Sequence, residues 1–246
     1  MLTVLDDRDG ERVMTVQIHE TAADAELVDA LACVLDDVEH GGMENFVLQF
    51  IGGPNSITGD FPSWNPGAVR SDMRHFGRWD ETLRRISRLQ AKTFVAYEGR
   101  VGAAAVHAGF VVDLRLASTQ ARLVLASLSG GHFPGMGAYW LPKFVGAGKA
   151  RRLLMLGDDL TAEDAHQLGL VDVVDDTIQA AVDATIKATR PVTPEAACFT
   201  RRILDDCYLL EHSGAVELAK AARFQLGMSN QHNQALQRPY AREGNW

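Results

Sequence analysis

The feature that most constrains the fold is a regular alternation of strand-like and helix-like segments over the first hundred residues. Runs of β-forming residues predict strands at residues 12–18 (RVMTVQI), 45–51 (NFVLQFI) and 93–97 (TFVAY). The helical spacing of apolar residues predicts helices over residues 22–38 and about 71–89, between these strands. This order implies a sheet built through crossover connections, with helices packed outside it.

After Gly146 the pattern becomes mostly helical. Thr161 and Asp164 are typical of a capped helix start, and Gly169 is typical of a helix end. The remaining segments predict one short strand and three helices, at residues 171–174, 177–187, 195–210 and 213–226.

We therefore predict an α/β core over residues 1–190 and a C-terminal helical region over residues 191–246, with an irregular polar tail from residue 228. A chain of 246 residues is long enough to bury a substantial core.

Composition excludes several classes of protein. The chain has 24 Lys and Arg against 32 Asp and Glu, a net charge of −8, which argues against a general nucleic-acid binder. No apolar run approaches the ~18 residues of a membrane span. The N-terminus lacks a signal-peptide core, so we expect a cytoplasmic protein. The 3 cysteines are far apart, and no cluster has metal-ligand spacing, so we predict neither a disulfide framework nor a metal.

Residues 98–148 carry the pattern of a binding site. In RVGAAAVH (residues 100–107), a turn of small residues leads into a short helix with one histidine, and a Gly-Met-Gly turn follows at residues 135–137. Backbone N–H groups on such turns can bind a carbonyl oxygen while one or two side chains carry the chemistry.

The segment at residues 132–174, HFPGMGAYWLPKFVGAGKARRLLMLGDDLTAEDAHQLGLVDVV, resembles a pattern of the crotonase (enoyl-CoA hydratase/isomerase) superfamily. The resemblance implies an α/β crotonase fold, with repeated ββα units forming a core sheet, outer helices and a C-terminal helical trimerisation region. It further implies a homotrimer or hexamer that acts on acyl thioesters. The acyl carrier would be coenzyme A or the phosphopantetheine of an acyl carrier protein, bound as substrate, and no other cofactor is expected.

In this superfamily two backbone N–H groups bind the thioester carbonyl and stabilise the enolate that forms from it. The resemblance places the first donor at Thr58, in NSITGDF, and the second at Ala104. The superfamily tends to have three glycines where this chain has Ala103, Ala104 and Ala105. Alanine still supplies an N–H group, but it requires a negative φ more strictly than glycine does.

The acid/base residues depart further from the superfamily. A hydratase of this type holds one water between two glutamates, and the resemblance aligns those positions with His107 and Ser127. Ordinary enoyl-CoA hydration is therefore not the expected activity. His107 is the candidate acid/base, since its ordinary pKa of ~6.5 suits proton transfer near neutral pH. The alternatives are that His107 fills polar space on the helix and that Ser127 only lines the pocket.

Four further residues complete the candidate site. Tyr139 follows the Gly-Met-Gly turn and is a candidate proton donor, or else a packing residue. Trp64, His132 and Met136 are candidate pocket residues, and aromatic side chains in the region of Trp64 would suit a bulky or unsaturated acyl group.

Two functions fit the sequence. The first is a lyase or isomerase that carries out decarboxylation, double-bond isomerisation or dehydration through a thioester enolate. The turn PGMGAY and the tail resemble branches of the superfamily used in polyketide biosynthesis. The second is a non-catalytic partner that binds an acyl thioester or supports a companion enzyme. Neither function involves nucleic acid or a membrane.

Overall fold

A mixed α/β architecture is described by the computed structural model over residues 1–8, 10–53, 56–61, 69–126, 128, 134–157, 159–206 and 209–236. Its strands are β1 (Leu2–Arg8), β2 (Glu11–Ile18), β3 (Asn45–Ile51), β4 (Lys92–Glu98), β5 (Arg100–Val101), β6 (Leu114–Ser118), β7 (Arg122–Leu123), β8 (Leu160–Thr161) and β9 (Val173–Asp175). Its helices are α1 (Ala25–Gly41), α2 (Val69–Arg88), α3 (Ala103–Gly109), α4 (Gly137–Val145), α5 (Ala147–Leu156), α6 (Ala162–Gln167), α7 (Ile178–Thr189), α8 (Pro194–Asp206), α9 (His212–Met228) and α10 (Asn230–Leu236).

The central sheet has the strand order β1-β2-β3-β4-β6-β9. Only β1 runs antiparallel to its neighbour in this sheet, and the other pairs are parallel. The predicted strands at residues 12–18, 45–51 and 93–97 are confirmed as β2, β3 and β4. The edge strand β1 was not predicted, because its acidic second half, Asp6 and Asp7, does not read as a strand.

Helices cover both faces of the sheet. In β3, Phe46, Leu48 and Phe50 pack into a core cluster with the buried face of α1, while Val47 points the other way into a cluster with α7. A strand that is buried on both faces reads as a continuous apolar run, which is why NFVLQFI was recognisable in the sequence.

The carboxyl end of the central sheet is where the chain brings the predicted site residues together. From β4 the chain passes through the short strand β5 directly into α3, and β5 belongs to a small second sheet of order β5-β7-β8. The loop after β3 returns to pair with this region, with Thr58 bridging Val101 in parallel fashion. Ligands of open parallel sheets bind at this edge of the sheet.

The described residues between 191 and 236 are mostly helical, and Arg201 of α8 connects them to the core. Its guanidinium donates to the carbonyl oxygens of Ser87 and Leu89, at 2.8 and 2.6 Å. It also donates to the hydroxyl of Thr93 and the carboxylate of Asp113. Helix α10 corrects the prediction of an irregular tail up to residue 236, and residues 237–246 lie outside the described residues.

Two sequence expectations concern features that would be visible in the described residues. No helix there combines the length and apolar character that crossing a bilayer requires. Cys33 and Cys198 are free thiols, while Cys207 is not among the described residues. The trimerisation role of the C-terminal region and the boundary at residue 190 stay predictions.

Candidate active site

Helix α3 carries two of the predicted site residues, and all of its residues are buried. Its alanines allow the loop after β3 to lie directly against it. A Cβ atom added to Gly59, which has φ +66°, would come within 2.9 Å of the Cβ atom of Ala105. Since the three alanines lie in helical conformation, where φ is negative, they fit where the superfamily tends to have glycine.

Tyr97 of β4 holds helix α3 in place through a hydrogen bond. Its hydroxyl donates to the carbonyl oxygen of Ala105 at 3.2 Å. The same hydroxyl lies where a side chain on Gly109 would be, 2.1 Å from an added Cβ atom, so glycine is required there. Burial raises the pKa of Tyr97 above its ordinary range, so the hydroxyl stays protonated and acts as a structural donor.

His107 lies in an aromatic and nearly closed environment, with only 3% of its surface exposed. The ring of Phe61 meets it edge-on, with centroids 5.1 Å apart, and the ring of Phe110 lies 5.9 Å away. Gly137 of α4 packs closely against the imidazole, since a Cβ atom added to Gly137 would lie 2.7 Å from Nε2 of His107. Among the described residues, the buried Nδ1 atom has no hydrogen-bond partner.

These surroundings keep the imidazole of His107 neutral. Burial lowers its pKa from 6.5 to about 4, since the charged form would lose its hydration without gaining an opposite charge. At pH 7 the side chain can therefore give or accept a hydrogen bond, but it is a weak base and carries no positive charge.

The N–H group of Thr58, the predicted first donor, is engaged within the protein, and its role toward a thioester stays a prediction. The N–H group of Thr58 already donates to the carbonyl oxygen of Arg100 at 3.0 Å, as part of the bridge to β5. The next two N–H groups are also used, by Gly59 toward Glu20 and by Asp60 toward Thr21, each at 3.0 Å. A thioester oxygen would have to displace one of these bonds to bind there.

Ala104 differs from its neighbours. The N–H of Ala103 donates to Oδ1 of Asp60 at 3.2 Å, and the N–H of Ala105 donates to the carbonyl of Gly59 at 2.7 Å. Within the part of the chain that the structure describes, the N–H of Ala104 between them has no acceptor. It is thus an open donor one turn before His107, on the same short helix.

Tyr139 lies on a different side of α4 from Gly137, the residue next to His107, and its catalytic role stays a prediction. Gly137 and Leu141 form the buried side of α4, and Tyr139 is about 200° around the helix from Gly137. Its side chain is 42% exposed and lies edge-on to the ring of Trp140, with the ammonium of Lys143 4.0 Å from its ring centroid. It belongs to an aromatic surface cluster of α4.

Of the other predicted site residues, the structure describes Met136 alone. Met136 is half-buried and immediately precedes Gly137, so it borders the His107 environment and stays a pocket candidate. Ser127, His132 and Trp64 lie outside the described residues. Among the residues that are described, no three histidine, cysteine or carboxylate side chains lie close enough together to hold a metal ion.

Comparison with known proteins agrees with this arrangement. A family model described as enoyl-CoA hydratase/isomerase matches residues 11–205, which is most of the chain. The chain belongs to the enoyl-CoA hydratase/isomerase family. This confirms the crotonase superfamily that the segment at residues 132–174 indicated.

Individual relatives of this enoyl-CoA hydratase/isomerase family member match over shorter stretches. An enoyl-CoA-hydratase from Amycolatopsis orientalis is 34% identical over 40% of this chain and 46% of its own length. A 1,2-epoxyphenylacetyl-CoA isomerase from Escherichia coli strain K12 is 32% identical over 40% of this chain and 38% of its own length. The matches thus span less than half of each of these relatives.

The crotonase fold is confirmed by solved structures. The chain is similar to an enoyl-CoA hydratase from Thermoplasma volcanium GSS1, with a TM-score of 0.81, 23% identity and 98% coverage of both chains. An enoyl-CoA hydratase/isomerase from Marinobacter aquaeolei gives a TM-score of 0.75 at 19% identity, covering 92% of this chain and 90% of the other.

Two residues of this family member's site were not singled out from the sequence. Phe110 follows α3 by one residue, and its contact with His107 could have been anticipated from helical spacing. Asp60 belongs to the segment NSITGDF, but the sequence indicates no role for it, because the helix that it contacts begins 43 residues later in the chain, at Ala103. A contact over that separation leaves no local signal.

Proposed function

We propose that this protein is an enzyme that forms an enolate from an acyl thioester and does not hydrate a double bond. The acyl group would be carried by coenzyme A or by the phosphopantetheine of an acyl carrier protein. The observation that supports this proposal most is a neutral, buried His107 one turn after the open N–H of Ala104. The N–H group would bind the thioester oxygen as negative charge develops on it.

Hydration fits these residues poorly. Adding water to a double bond requires groups that take a proton from the water and deliver a proton to carbon. The resemblance aligns His107 and Ser127 with the two glutamates that do this. One neutral imidazole and one serine, which has no proton to exchange near neutral pH without a base beside it, do not reproduce that pair.

Among decarboxylation, isomerisation and dehydration, decarboxylation fits the surroundings of His107 best. Isomerisation and dehydration begin with removal of a proton from carbon, whereas decarboxylation needs no base. A carboxylate beside Phe61 and Phe110 would lose hydration, and no positive charge from His107 would compensate for it. Breaking the bond from Cα to the carboxylate releases CO2 and leaves the electron pair in the enolate, and water then supplies the proton to Cα.

The reaction can be tested with a panel of enoyl, 3-hydroxyacyl and α-carboxyacyl thioesters, each on coenzyme A and on a carrier protein. Products would be followed by mass spectrometry. We expect the α-carboxyacyl thioester to lose 44 Da, the mass of CO2, and to gain one deuterium at Cα in D2O. Loss of water, or a shifted double bond without CO2 release, would replace decarboxylation by one of the other two reactions.

A non-catalytic partner is the second candidate, and the N–H groups of the loop after β3 favour it. Thr58, Gly59 and Asp60 all donate internally, so the donor predicted in this loop is already occupied. Such a pocket could bind a thioester without turning it over. Binding without product in every member of the panel would support this candidate over the enzyme.

The biological setting is also a proposal. The resemblance of the PGMGAY turn supports a cytoplasmic role in polyketide-like biosynthesis. A homotrimer or hexamer is supported by large apolar side chains that are exposed in the C-terminal helical region, Leu204, Leu209, Phe224 and Met228. Light scattering coupled to size exclusion would give the number of subunits.

A further inference from the structure

Asp60 connects three segments of the chain next to His107. Its N–H donates to the carbonyl of Thr21 at 3.0 Å, and its own carbonyl accepts from the N–H of Ala23 at 2.7 Å. These two bonds tie the loop after β3 to the segment between β2 and α1. The backbone of Asp60 is therefore held on one side before its side chain makes any contact.

The carboxylate of Asp60 makes the third connection. Its Oδ1 atom accepts from the N–H of Phe61 at 2.9 Å and from the N–H of Ala103 at 3.2 Å. Gly102 makes room for this contact, because an added Cβ atom there would lie 2.5 Å from the Cβ atom of Asp60. Bonds from N–H groups to a carboxylate are stronger than bonds to a neutral oxygen.

One oxygen atom thus joins the two parts of the His107 environment. Phe61 supplies the ring that meets His107 edge-on, and Ala103 is the first residue of the helix that carries both Ala104 and His107. A shift of this oxygen would move the ring of Phe61 relative to His107. It would also change the first turn of α3, where the N–H of Ala104 is open.

We propose that Asp60 is a positioning residue of the site, which holds Phe61 against His107 and fixes the first turn of α3. Its catalytic consequence rests on the proposed function, but its geometric consequence does not. The bonding pattern needs an acceptor oxygen at one place, and it does not need a negative charge. Asparagine can supply that oxygen, whereas alanine cannot and glutamate places its oxygens one methylene further from the backbone.

The test compares Asp60→Ala, Asp60→Asn and Asp60→Glu, with Asp164→Ala as the matched control. Asp164 also accepts hydrogen bonds at the start of a helix, from Thr161 at α6, but it is exposed and lies in another part of the fold. The first readout is the NMR signal of the His107 ring protons, which the edge-on ring of Phe61 shifts. The second is the split between kcat and KM on any thioester that the wild type turns over.

We expect Asp60→Ala and Asp60→Glu to move the His107 signal and to lower kcat at least about tenfold, with a smaller change in KM. Asp60→Asn should retain the wild-type signal and most of the rate, and Asp164→Ala should lower stability without moving the signal. Asp60→Glu keeps the test valid if the alanine variant does not fold.

An unmoved His107 signal in Asp60→Ala or Asp60→Glu, together with a lower unfolding midpoint, would reduce Asp60 to a structural cap and overturn the proposal. A wild type without turnover would count against the proposed enzyme only, because the NMR readout does not depend on activity.

Discussion

Two buried basic side chains of this protein, Arg201 and His107, differ in the hydrogen-bond partners that surround them. Arg201 is 5% exposed, and its guanidinium donates to carbonyl oxygens, a hydroxyl and the carboxylate of Asp113. His107 is 3% exposed, lies between aromatic rings and has a buried nitrogen atom without a partner among the described residues. One side chain is fully supported by its surroundings, and the other is not.

The difference follows from what each group can do with its proton. Arginine cannot lose its charge in a protein, so burial requires compensating partners. Histidine can become neutral, so it can be buried without an opposite charge. A buried nitrogen without a partner still costs about 1–3 kcal/mol. Burial of His107 at this cost is consistent with a bound ligand that supplies the partner of its nitrogen. The hydrogen bonds of Arg201 are complete without a ligand.

The largest expected effect comes from removing the buried guanidinium of Arg201. Arg201→Ala removes the cationic partner of the Asp113 carboxylate and the donor to two carbonyl groups. We expect a loss of about 3–5 kcal/mol in the free energy of unfolding. The neighbouring, half-buried Arg202 provides the control, and Arg202→Ala should cost less than about 1 kcal/mol. Denaturant unfolding measures both, and equal losses would contradict the structural role of Arg201.

The next effect is a pH dependence of the free energy of unfolding, which arises because His107 is neutral in the folded protein. Its pKa is about 4 in the folded protein and close to 6.5 when unfolded, so the unfolded state gains the proton first as pH falls. His107 therefore costs no stability above about pH 6.5, and stability is lost progressively from there down to pH 4, by at most about 3 kcal/mol.

His107→Gln removes this dependence while leaving the other ionisable groups in place. Unfolding free energies measured at several values between pH 7 and pH 4 should fall more steeply for the wild type than for the variant. Parallel curves would show that His107 is protonated in the folded protein near its ordinary pKa.

A smaller effect is expected from crowding His107 by one methyl group. In Gly137→Ala the new Cβ atom would lie 2.7 Å from Nε2, so the imidazole must shift, at a cost of about 1–3 kcal/mol. Gly148 is the control, since it is also near a helix start and has nothing within 4 Å of an added Cβ atom. Gly148→Ala should be neutral or slightly stabilising. Equal stabilities and rates for the two variants would contradict the close contact between α4 and His107.

Much of the fold could be predicted from the sequence because its signals are local. The buried strands read as apolar runs, and the capping box of α6 stands in the sequence as Thr161 and Asp164, where the structure has it. The edge strand β1 was missed, since it depends on pairing with β2 and its own residues include acidic side chains. The short helix α10 was missed because its polar sequence has no apolar periodicity.

The site was less predictable, because its geometry depends on contacts between distant segments. The position of His107 on a buried helix followed from the resemblance, and so did the N–H group of Ala104. The internal bond of Thr58 to Arg100 requires knowledge of the small second sheet, which the sequence did not reveal. The outward direction of Tyr139 depends on which side of α4 is buried, and Gly137 decides this through its contact with His107.

The most direct test of the functional role of His107 is the rate of CO2 release from an α-carboxyacyl thioester by the wild type and His107→Gln, at equal concentrations of folded protein. Release by the wild type, with kcat/KM about tenfold or more lower in the variant because the hydrogen bond from the imidazole to the substrate is lost, is the predicted result. Equal rates in the two proteins, with unchanged stability at pH 7, would contradict the claim that His107 is the functional member of the pair and Arg201 the structural one.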